Sequence, residues 1–303
     1  MTLDSIDLDA GLFGGPGDKI LLPLMGYPSE RDAVFVALTT AEYFGIHLYI
    51  LHIVSKSTKV EDYFQKKIER IKERAQKLKV NLEVNIIEAS KWSTPDSIIL
   101  KEINDLSPKL TIMMSRRKGL FQRLSGSIAE KVARKSPHSV MIIRSPIKDW
   151  VTYGSNISPR KIVVPIGAQN NCEISAVQLA IAIANTGESR DADITLLHSI
   201  IIPETVPILN SDNKIFQQEE KKFVKQAGMY TTMLMFPMKT KVIVGRDVGR
   251  SISQFLNKEQ ADLAIMGVPY VPRKFFGLFG TDTNEIYNKS ECPVMVIFHK
   301  EIC

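Results

Sequence analysis

The sequence predicts two tandem α/β domains, each a doubly wound, five-stranded parallel sheet flanked by helices. Three observations carry this expectation. The 303-residue chain repeats itself about half-way along. Short apolar runs alternate with longer amphipathic segments, and the runs lack period-2 alternation, which suits parallel strands buried on both faces.

The repeat shows as a series of matches in one order. Lys19-Ile20-Leu21-Leu22-Pro23-Leu24 is answered by Lys161-Ile162-Val163-Val164-Pro165-Ile166. Leu48-Tyr49-Ile50-Leu51-His52-Ile53 is answered by Ile194-Thr195-Leu196-Leu197-His198-Ser199. Gly126-Ser127 pairs with Gly280-Thr281, Lys135-Ser136 with Lys289-Ser290, and Val140-Met141-Ile142-Ile143 with Val294-Met295-Val296-Ile297, all three at one constant offset.

Taken in order, the strands of the first copy are expected at 20–24, 48–54, 80–87, 110–114 and 140–144. Those of the second are expected at 161–166, 193–200, 240–244, 263–266 and 294–298. The helix after the first strand opens on Ser29-x-x-Asp32, and its counterpart on Asn170-x-x-Glu173, both resembling capping boxes. Val60, Phe64, Ile68, Ile71, Ala75 and Leu78 recur at spacings of three and four, forming one apolar helical stripe. Gly154 and Pro159 mark residues 147–160 as a linker between domains 18–146 and 161–303, after a flexible tail at 1–17.

Composition excludes several classes. With 44% hydrophobic and 24% charged residues the chain is an ordinary globular protein. Its 39 Lys and Arg against 33 Asp and Glu give a net charge of +6. The bases are interleaved with acids, as in 61–79, which describes solvated helix faces and not a nucleic-acid stripe. Trp92 and Trp150 have no aromatic neighbours to make a stacking platform. No uncharged apolar run approaches the ~18 residues of a membrane span, and the N-terminus lacks the pattern of a signal peptide. Cys172, Cys292 and Cys303 have no metal-ligand spacing and suggest reduced thiols in a cytoplasmic protein.

Ligands of an open parallel sheet sit beyond the carboxyl ends of its strands. The loop after the fourth strand reads Met113-Met114-Ser115-Arg116, nine residues, then Gly126-Ser127 in the first copy. In the second it reads Gly267-Val268-Pro269-Tyr270, nine residues, then Gly280-Thr281. This pattern resembles the ATP-binding universal stress proteins, which carry Gly, two residues, Gly, nine residues, then Gly-Ser or Gly-Thr opening the last helix. The resemblance covers residues 19–145 and 161–300. It implies an adenine nucleotide alpha hydrolase-like fold, a role in stress response and binding of ATP or AMP. It also implies dimerisation through antiparallel last strands, here an internal pseudo-dimer of the two copies, with a homodimer of whole chains as a further expectation.

The motif has a physical basis. Glycine lets backbone amides approach phosphate oxygens, and a helix start offers unpaired N–H groups and a favourable dipole. The nucleotide-binding set is then Gly267, Tyr270, Gly280, Thr281, Gly126, Ser127 and Arg116, with the second domain the better candidate. Gly126-Ser127 and Gly280-Thr281 fit ordinary helix starts equally well. Met113 and Arg116 replace both earlier glycines of the first copy, and Tyr270 replaces one in the second. Arg116 either fills the pocket or pairs a phosphate, and Tyr270 either fills it or stacks on a base. The Asp that the family carries after its first strand is Met25 in one copy and Gly167 in the other. The basic loop of Arg116, Arg117, Lys118 and Arg123 holds an anion or is simply solvated, and Arg273-Lys274 is a thinner version of it.

His52 and His198 occupy corresponding strand ends and are expected to be satisfied by backbone, with no metal cluster. Cys172 falls in the first turn of a helix, where a thiol's pKa is lowered. The loop from Gly26-Tyr27-Pro28-Ser29 matches no synthetase signature, and no nucleophile–base pair emerges, so slow nucleotide hydrolysis is the most chemistry expected. Two functions follow: a stress-responsive adenine-nucleotide-binding sensor, or a degenerate member acting as a regulatory module on a protein partner such as a transporter.

Overall fold

The computed structural model describes residues 12–14, 17–26, 30–54, 61–89, 93–115, 127–144, 159–167, 172–185, 192–205, 214–270 and 280–300. The first half runs β1 (Lys19–Leu24), α1 (Arg31–Phe44), β2 (His47–Val54), α2 (Glu61–Lys77), β3 (Leu82–Glu88), α3 (Pro95–Leu106), β4 (Leu110–Ser115), α4 (Ile128–Lys135) and β5 (Ser139–Arg144). The second runs β6 (Lys161–Pro165), α5 (Cys172–Asn185), β7 (Asp193–Ile201), α6 (Lys214–Met233), β8 (Lys239–Gly245), α7 (Val248–Lys258), β9 (Leu263–Pro269), α8 (Thr281–Lys289) and β10 (Val294–His299).

Each half pairs its strands in parallel, and the halves share one ten-stranded sheet in the order β3-β2-β1-β4-β5-β10-β9-β6-β7-β8. The join is β5 against β10, antiparallel, with Arg144 opposite Val294, Ile142 opposite Val296 and Val140 opposite Phe298. That register is symmetric about Ile142 and Val296, so an internal two-fold relates the halves. Both joining strands are buried along their whole length. Helices α1, α2, α5 and α6 cover one face, with Phe64, Ile68, Ile71 and Ala75 supplying the buried stripe of α2. Helices α3, α4, α7 and α8 cover the other.

Arg144 pins the join at one point. Fully buried, it donates from Nη2 to the carbonyls of Ser290 at 2.8 Å and Cys292 at 2.7 Å. Its guanidinium also lies 5.6 Å from the centre of the Tyr287 ring. A buried guanidinium is tolerable only when hydrogen-bonded in this way.

The structure departs from the sequence reading in three places. Strands β3 and β8 are not buried on both faces, because they are the two edges of the sheet; Ile86 is 58% exposed, and Glu83, Glu88, Lys239 and Lys241 are exposed. Charges on such edges discourage further strand pairing. Helix α1 starts from Glu30, which makes no side-chain cap, in place of the expected box; Ser29 and Asn170 lie outside the described residues. Cys172 is disulfide-bonded, whereas Cys292 is a free, buried thiol. Sequence spacing gave no hint, since only the fold decides which cysteines meet.

At the N-terminus, residues 1–11 lie outside the described residues, but Leu12 is 9% exposed and packs into the core. The Phe13 ring centre lies 4.7 Å from that of Phe44, and the Gly14 N–H donates to Asp18 at 2.6 Å.

Candidate ligand ends of the two half-sheets

Residue Gly267 lies in β9, where the first turn of α5 crosses it. A Cβ built there would fall 1.8 Å from the Cys172 carbonyl oxygen. The glycine therefore admits a helix, and the space it vacates is filled by backbone. Nearby His299, 8% exposed at the end of β10, hydrogen-bonds to the Cys172 backbone. Burial lowers its pKa to about 4 and keeps the ring neutral.

Residue Tyr270 turns away from its own half. Its N–H donates to the His299 carbonyl at 2.8 Å, and its hydroxyl donates to the Arg134 carbonyl at the end of α4, 3.3 Å away. The Lys300 ammonium sits 3.1 Å from the centre of the Tyr270 ring and 3.4 Å from the same carbonyl. Burial lowers the Lys300 pKa to about 8.

The two last helices start differently. Ser127 is the N-cap of α4, its hydroxyl accepting from the Glu130 N–H at 3.1 Å. Glu130 in turn pairs with Arg134 at 2.8 Å. Gly280 is the N-cap of α8 without any side-chain cap, and Thr281 is exposed as the first helical residue. Asp282, in the first turn of α8, accepts from the Gly249 N–H, and burial and then the Asp247 charge raise its pKa. Arg116, Gly126, Arg117, Lys118, Arg123, Arg273, Lys274, Trp92 and Trp150 lie outside the described residues.

Behind the first strand of each half, a buried carboxylate occupies the backbone. Glu30 accepts from the Met25 N–H at 2.6 Å, and Glu173 accepts from the Gly167 N–H at 2.8 Å. Met25 and Gly167 are the positions that the family resemblance sets against the Asp after the first strand. Glu30 is 5% exposed and held by Lys67 at 3.1 Å. Glu173 is 4% exposed and lies 3.5 Å from the Tyr230 hydroxyl, whose pKa is raised by burial and by that carboxylate. The sequence reading missed this pair as site residues. The signal available was an acid five residues past Met25 and six past Gly167, at corresponding places in the two copies.

The two strand histidines behave as expected. His52 Nδ1 donates to the Leu24 carbonyl at 3.0 Å and His198 Nδ1 to the Ile166 carbonyl at 2.9 Å. Each ring stacks on a helix aromatic, Phe64 in α2 and Phe223 in α6. Among the described residues no group of three or more His, Cys, Asp or Glu could hold a metal ion, and no helix is long and apolar enough to cross a membrane.

No curated protein sequence matches the chain. Among solved structures it is similar to a universal stress protein from Archaeoglobus fulgidus, with 17% identity over 94% of this chain and 97% of that one, at a TM-score of 0.55. It is similar as well to the cytoplasmic domain of a prokaryotic cation chloride cotransporter, with 13% identity over 94% of this chain and 96% of that one, at a TM-score of 0.62. At these identities the likeness is one of fold. The family model for the universal stress protein family matches residues 17–144 and again 159–297. The chain therefore belongs to the universal stress protein family, as a member carrying two copies of the domain in tandem.

Proposed function

We propose that this chain is a regulatory module that acts through a protein partner, and that its own side chains take the places an adenine nucleotide would use in the family's manner. The observation that carries this reading is the carboxylate behind each first strand. The Met25 and Gly167 amides are each already satisfied by a buried Glu of the chain itself, at 2.6 and 2.8 Å. A ligand contacting either position would have to displace an internal hydrogen bond and strand a buried charge, which is costly. Three other motif positions support the same reading: Gly267 accommodates Cys172, Tyr270 reaches the opposite half, and the Ser127 hydroxyl caps its own helix. These positions therefore argue against an adenine nucleotide held in the family's manner. The likeness to the cotransporter domain is one of fold, and it names the first class of partner to test, a transport protein.

One feature favours a second reading. Among the described residues the α8 start at Gly280 and Thr281 carries no side-chain cap, which in this reading leaves its first amides open to a phosphate. Calorimetric titration of the purified chain with ATP and AMP decides between the two. No saturable heat with either nucleotide is expected. Saturable binding that Gly280→Val abolishes would overturn the proposal and assign the site to α8.

A further inference from the structure

Positions Ser127 and Tyr270 belong to corresponding motifs, yet they lie at opposite poles of the molecule. Because β5 and β10 are antiparallel, the carboxyl ends of the two half-sheets face opposite ways. Helix α4 returns against the strands of its own half, so it leaves the first pole at Ser127 and ends towards the second. Its eight residues span about 12 Å at the usual helical rise.

The two ends of α4 are held by different halves. Ser127 caps its start through the Glu130 N–H. At its end, the Arg134 carbonyl is one of the last four, which have no partner inside the helix. Tyr270 and Lys300 supply donors to that carbonyl from the second half, at 3.3 and 3.4 Å. The Lys300 ammonium suits both the negative end of the helix and the face of the Tyr270 ring 3.1 Å below it. Tyr270 is itself tied to β10 by its N–H on His299.

We propose that α4 is a coupling rod between the two poles, gripped at one end by Tyr270 and Lys300 and anchored at the other by Ser127. A change at either motif then biases the other through the helix. The grip is reversible, because single hydrogen bonds to a carbonyl contribute only modest net stability, that from the Lys300 ammonium the larger of the two. Coupling between two sites is reciprocal, and this supplies the test.

Amide hydrogen exchange on the full chain reads both directions. In Tyr270→Phe, which keeps the ring and removes the donor, the Glu130 amide of α4 and the Ser136 amide that caps its end should exchange about fivefold faster. In Ser127→Ala, the Tyr270 amide at the opposite pole should accelerate by a similar factor. The amides of β1 and β2 should not change in either variant. The proposal is overturned if each variant affects only its own turn, or if exchange rises uniformly through β1 and β2, which would mean general destabilisation.

Discussion

A methyl group on Gly267 would meet backbone and not a flexible side chain, so neither neighbour can rotate aside. Gly267→Ala should therefore cost about 1–3 kcal/mol, through forced separation of α5 from β9. Urea unfolding measures it, and unchanged stability would show that the vacated space is open after all. Lys300 carries a second prediction at this scale. Its pKa is about 8 in the folded chain against an ordinary 10.5, with burial as the cause. Between these values the unfolded chain binds the extra proton, so this residue makes stability rise with pH across that window. The melting temperature of the wild type relative to Lys300→Met should thus increase from pH 7 to pH 10. A difference independent of pH would show that the amine is well solvated. Residues of this kind were the least legible in the sequence. The substitution of Tyr270 into a glycine position was visible, but its destination was a carbonyl in the other half, and no local pattern points across a domain join.

Strands and helices were far easier to read. Apolar runs and spacings of three and four reflect burial, which is what organises β1, β2, β4, β5 and the stripe of α2. The expectation erred where burial is incomplete. β3 and β8 were expected among buried strands because Val84, Ile86, Val242 and Val244 look like core residues, but sheet order places them at the margins. The start of α1 differed for another reason. Glu30 and Glu173 satisfy the loop amides of Met25 and Gly167, and a box motif in the sequence does not reveal which amide a carboxylate will choose.

The repeat made the architecture of the whole molecule legible, because matched last strands in tandem copies suit mutual pairing. Strand β5 is buried throughout by β10 and by helices on both faces, and Arg144 depends on carbonyls of the other half. Residues 1–146 expressed alone should therefore self-associate through the bared strand, as light scattering would report. A folded, monodisperse monomer would refute that. The same join has a consequence for descent. In a dimer of identical chains every substitution is made twice, once on each side of the axis, and must be tolerated in both places. Covalent linkage lifts that restriction. Arg144 and Phe298 occupy matched positions in paired strands, yet one is a cation reading carbonyls and the other an aromatic core residue. Each pole of this chain is thus free to acquire its own partner by mutations that leave its twin untouched.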